Sequence, residues 1–142
     1  MICTFFGHKN APVSVKEALK TEILRLADEG VVEFYVGNNG NFDYYVQEVL
    51  LDISTIRQDI KFSVVISYLN ERVMKKMDNL SLFPEGLEKA LPKFAISKRN
   101  EWLIKNSDIA IVYVKNRFTN SYKIMMKAMK KGVTVINLGD KV

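Results

Sequence analysis

Cysteine and histidine occur once each in this chain, at Cys3 and His8, and proline only three times. A lone cysteine excludes an intrachain disulfide, and a lone histidine leaves no Cys/His cluster with the spacing of a zinc site. No Ser-His-Asp spacing can be read either, so no metal and no triad are expected. No apolar stretch approaches the roughly 20 residues of a membrane helix, and no charged segment followed by an apolar h-region opens the sequence. The setting expected from these absences is a reducing cytoplasm, without membrane association. Cys3 sits inside the first apolar run, where burial makes a thiol inert, so it is expected in the core and not as a nucleophile.

What is present is the balance of an ordinary globular chain: 48% hydrophobic and 26% charged residues in 142. That length suits one domain, expected to span 1–142. The formal charge of +5 favours anions, nucleic acid included. Much of it, however, comes from Lys123, Lys127, Lys130 and Lys131 near one helix end, where lysines also complement the helix dipole. No aromatic residues interleave with them as in single-strand binders, which makes nucleic acid a less favoured partner than a small molecule.

Five short apolar runs have the length of strands: Ile2–Phe6, Val32–Val36, Phe62–Leu69, Ile109–Val114 and Val133–Leu138. Their near-continuous hydrophobicity predicts burial on both faces, as in a parallel sheet covered by helices. Between them, Ser14 and Glu17 form an S-x-x-E capping box before a stripe ending at Gly30. Further stripes run over Tyr45–Ile56, Phe94–Asn106 and Ser121–Lys131. The alternation predicts a doubly wound, five-stranded, mainly parallel sheet of order 3-2-1-4-5 with right-handed connections. Asn70–Pro92 is too long and too mixed for a plain connector.

Ligands of open α/β sheets bind beyond the strand carboxyl ends, where the strand order reverses. Three turns qualify: "GHKNAP", "GNNGNFD" and "KNRFTNS". In the second, Gly37 and Gly40 flank Asn38 at a strand-to-helix junction. Two readings stand: a phosphate approaching the backbone amides, or a tight turn capped by Asn41 or Asp43. If the turn alone is served, Gly40 is expected at positive φ, where Asn would be the best substitute. His8 is either a hydrogen-bond donor to a ligand or a partner of loop carbonyls. Arg99 and Asn100 open the third helix, where a guanidinium fork can face the crevice or lie on a solvated face with Trp102 tucked inside.

The stretches "CTFFGHK", "FYVGNNGNFD", "FPEGLE", "FAISKRNEWLIKNSD" and "KKGVTVINL" together resemble the SLOG superfamily, close to its short stand-alone bacterial members of the YpsA type. The resemblance runs through almost the whole chain. It implies a Rossmann-like three-layer α/β/α fold that binds a nucleotide or nucleotide-derived ligand. Members of the superfamily include phosphoribohydrolases, the DNA-processing protein DprA and sensors of NAD-derived signals. Carried over residue by residue, it puts Gly7, His8, Gly37, Gly40, Asp43, Arg99 and Asn100 at the ligand, with Glu85 entering from "FPEGLE". One departure stands out: the phosphoribohydrolases carry P-G-G-x-G-T-x-x-E after the fourth strand, and this chain has "VKNRFTNSYKIMM". Side chains of Asn116, Arg117, Thr119, Asn120 and Ser121 are left to replace those glycines. The expectation is therefore a sensor or accessory module for an NAD- or ADP-ribose-like ligand, with no resident cofactor and with a homodimer left open. The alternatives are a nucleotide N-glycosidase and a DprA-like nucleic-acid binder.

Overall fold

In a computed structural model, residues 1–67, 81–84 and 94–142 are described. The described elements are β1 (Ile2–Gly7), α1 (Val15–Asp28), β2 (Glu33–Val36), α2 (Asn41–Ile56), β3 (Lys61–Val65), β4 (Ser81–Leu82), α3 (Ala95–Lys105), β5 (Ile109–Tyr113), α4 (Asn120–Lys130) and β6 (Thr134–Asn137), followed by a 3₁₀ turn at Leu138–Asp140. The sheet has six strands in the order β4-β3-β2-β1-β5-β6, every pair parallel.

The expected count of five strands is thus corrected to six. The additional strand, β4, pairs only Ser81 and Leu82 with Val64 and Val65. Two residues carry no readable period, which is why it was hidden inside Asn70–Pro92. It extends the sheet beyond β3 and leaves the expected order of the other five intact, with the reversal between β1 and β5.

Period-two alternation divides the core between the two faces of the sheet. Cys3 and Phe5 of β1, Phe34 of β2 and Ile109 and Ile111 of β5 pack with α1 and α2, through Leu19, Ile23, Val46 and Leu50. Phe6, Ala110 and Val112 face the other way, against Leu103 and Ile104 of α3 and Ala128 of α4. Helices therefore cover both faces, an arrangement compatible with a Rossmann-like three-layer fold. Cys3 is fully buried, and burial pushes its thiol far up from the ordinary value.

Two local expectations change. Ser14 lies in helical backbone and its side chain makes no cap bond, so the capping box does not form. The helix after "GNNG" begins at Asn41, four residues before the predicted Tyr45, because Asn41–Asp43 is its first turn. Among the described residues no helix is long and apolar enough to cross a membrane.

Candidate functional site

β2 ends at Val36, and the chain turns through Gly37, Asn38, Asn39 and Gly40 into α2. Asp43 rises from the first turn of α2 on one face of the sheet, and Arg99 comes from α3 on the other. They meet over the end of β2. A Cβ on Gly37 would fall 2.6 Å from Asp43 Oδ2 and 2.8 Å from Arg99 Nη1, so only glycine lets both side chains close there. Arg99, 3% exposed, and Asp43, 7% exposed, are both buried.

Amide oxygens hold the guanidinium. Nη1 donates to Asn38 Oδ1 at 3.0 Å, while Nε and Nη2 donate to Asn100 Oδ1 at 3.3 and 3.1 Å. One N–H on each terminal nitrogen meets no acceptor among the described residues. Asp43 Oδ2 accepts the Asn39 backbone N–H at 3.0 Å, and Oδ1 accepts no bond among those residues. The two opposite charges do not close to an ion pair within 4.0 Å. Burial pushes the Asp43 carboxyl up to about 6, against the pull of Arg99 and of the Asn39 N–H. Burial likewise lowers the Arg99 guanidinium, offset by Asp43, but arginine stays charged in a protein.

At the reversal of strand order, His8 bridges β1 and β5. Its backbone N–H donates to Tyr113 O at 3.2 Å. Its Nε2 accepts the Lys115 N–H at 2.8 Å and, more weakly, the Asn116 N–H at 3.4 Å. An accepting Nε2 leaves the proton on Nδ1, and burial lowers the imidazole below its ordinary value, both of which favour the neutral ring. His8 therefore satisfies loop amides, a role that differs from the expected carbonyl partner; its remaining donor is Nδ1–H.

The turn after β5 is built from its own polar side chains. Asn116 Oδ1 accepts the Phe118 N–H at 2.8 Å, and Thr119 donates to Asn116 O at 2.9 Å while capping α4 by accepting Tyr122 N–H at 3.2 Å. Ser121 follows in the first turn of α4, half-buried. Asn116 and Thr119 thus shape this turn directly. Phe118 stands on it 95% exposed, a residue the sequence reading did not single out. Asn137 was also missed: its Oδ1 accepts from Val114 and Gly139, and its Nδ2 donates to Val114 O, fixing the end of β5 from β6. Neither residue belongs to a pattern that spacing alone reveals.

Packing explains two of the candidate glycines. A Cβ on Gly7 would enter the Phe42 ring. Gly40 has φ 98° and ψ 175°, a region reserved almost wholly for glycine and distinct from the left-handed helical one that Asn visits. Its Cβ would also lie 2.9 Å from Lys9 Cα. Asn at this position is therefore strained, whereas a positive φ alone would have let it replace Gly40 with little loss of stability. Lys9 O accepts the Asn41 N–H at 2.9 Å, tying the loop after β1 to the start of α2. Glu85 lies outside the described residues. Among those residues no group of three or more His, Cys, Asp or Glu could hold a metal ion.

Gly7, His8, Gly37, Asn38, Gly40, Asp43, Asn116, Thr119 and Ser121 accordingly lie at or follow the carboxyl ends of β1, β2 and β5; Gly37, Asn38, Asp43 and Asn100 meet at Arg99, and Asn116 meets His8. No family model matches the chain. A UPF0398 protein of Streptococcus mutans is 24% identical to it over 142 aligned positions, covering 92% of this chain and 82% of that relative.

Proposed function

We propose that this chain is a SLOG-type, Rossmann-like module that binds a nucleotide or nucleotide-derived anion, such as NAD or ADP-ribose, and serves as a sensor or accessory module. The observation that carries the reading is the buried Arg99 guanidinium. Amide oxygens orient it and, among the described residues, no carboxylate neutralises it directly and two of its N–H groups meet no acceptor. A buried charge of this kind is costly unless a counter-charge completes it. Phosphate matches both the charge and the fork. The motifs that resemble the SLOG superfamily point to the same ligand class. A thermal-shift screen over nucleotides, NAD and ADP-ribose tests this, since a ligand bound only by the native state raises its melting temperature. Absence of any shift across the panel refutes the reading.

Asp43 supports a second reading, hydrolysis of the N-glycosidic bond. A carboxyl pushed up to about 6 retains its proton closer to neutrality and can donate it to a departing base. Release of free base by the wild type, lost in Asp43→Asn with ligand binding retained, selects the enzyme; a thermal shift without turnover selects the sensor.

A further inference from the structure

At the opposite end of the sheet, the C-terminal ends of α3 and α4 and the amino ends of β5 and β6 enclose a groove of about 900 Å³. Lys105, Lys127, Lys130 and Lys131 line it, and among the described residues none of the four is in an ion pair. The two carboxylates on its walls are already engaged: Asp108 Oδ2 accepts the Ile2 N–H at 2.9 Å, and Glu101 pairs with Lys98 at 3.6 Å. The groove therefore carries a surplus of positive charge. Helix dipoles account for single lysines at each helix end; they do not account for four converging on one cavity.

A second observation is independent of charge. Ile104 and Val133 supply an apolar floor, extended by the aliphatic stems of the lysines.

We infer that this groove docks an extended acidic segment of a partner protein, with its carboxylates on the four lysines and an aliphatic side chain over Ile104 and Val133. The lining has no aromatic side chain on which bases would stack and no arginine fork for phosphate. Lysine point charges over an apolar floor suit carboxylates spaced along a peptide. Because the groove and the Arg99 cluster lie at opposite ends of the strands, both can be occupied at once, so the module can be tethered while it responds to its ligand.

The test is fluorescence anisotropy with a labelled peptide of glutamates around one leucine, titrated with the full chain. Saturable binding is expected, with affinity reduced roughly tenfold or more in Lys127→Glu/Lys130→Glu, where attraction becomes repulsion. The equally charged control Lys20→Glu/Lys61→Glu should bind as the wild type does. Replacement of the peptide leucine by serine should weaken binding; Lys127→Gln/Lys130→Gln repeats the charge test without reversal, and circular dichroism checks each fold. Absence of saturable binding, equal losses in the control pair, or tighter binding of an oligo(dT) of matching charge would overturn the inference, the last by assigning the groove to nucleic acid.

Discussion

Asp43→Asn is the perturbation that separates the buried carboxyl's costs from its uses. The rise from the ordinary 3.8 to about 6 means that the native state binds the proton more tightly than the unfolded chain does. Neutral Asp43 therefore stabilises the fold fully below pH about 4, and this contribution is lost as pH rises through about 6. The full difference is worth about 3 kcal/mol. An amide in the same place keeps an oxygen for the Asn39 N–H and cannot ionise, so at pH 8 the variant is expected to be more stable by about 1–3 kcal/mol. For a chain of this length that is roughly 3–10 °C in melting temperature. At pH 4 the two proteins should melt together. Ligand binding adds a second readout, because a protonated Asp43 removes a negative charge beside Arg99: anion affinity should be higher at pH 5 than at pH 8 in the wild type, and the difference should vanish in Asp43→Asn. Calorimetric melts across this pH range, paired with titrations of the best ligand from the screen, provide both curves. A stability difference that does not change with pH, or a variant less stable at pH 8, refutes the reasoning.

Other perturbations follow from the same geometry. Arg99→Lys keeps the charge but loses the fork, and should weaken ligand binding by about 1.5–3 kcal/mol, roughly tenfold or more, in isothermal titration; an unchanged dissociation constant removes Arg99 from the site. Gly37→Ala meets no positive-φ penalty, so its effect should come from the methyl against Asp43 and Arg99: lost affinity and an altered pH profile, checked by repeating those titrations and melts. Gly40→Asn should lower the melting temperature, by about 1–3 kcal/mol of strain, as a thermal melt would show. Cys3 should react with a thiol reagent only after denaturation, and rapid labelling of the native protein would contradict its burial.

The order of five strands was legible because each is a continuous apolar run, and runs buried on both faces leave few alternatives to a covered parallel sheet. β4 was not legible: its pairing depends on where β3 ends, a tertiary circumstance that no local pattern records. The capping box failed for a related reason. Ser14 has the right spacing from Glu17, but its own backbone is already helical, and spacing does not reveal backbone angles. At the candidate site, residue types picked out the turns, since glycine, asparagine and a lone histidine mark strand ends. They did not show that Gly7 is required by Phe42 or Gly40 by Lys9, because these neighbours lie far along the chain.

The Asp43 and Arg99 arrangement does not serve stability well. A pair retained for stability would close to a direct bridge, and even closed buried pairs often do no better than apolar residues of the same volume. Here the guanidinium is directed instead to Asn38 and Asn100, amides that hold it in place without cancelling its charge. The carboxylate that could cancel it acts from a distance and is itself pushed up to about 6, so the net charge at the end of β2 changes near neutral pH. Gly37 lies between them with no room for a methyl. Under the proposed function, neutral amides, a fixed cation and an adjustable anion would together receive an added negative group, with a strength set by the protonation of one residue. The glycine of the turn admits the two charges that meet over it, and on the proposed function those charges serve the ligand, so a substitution at Gly37 should disturb both.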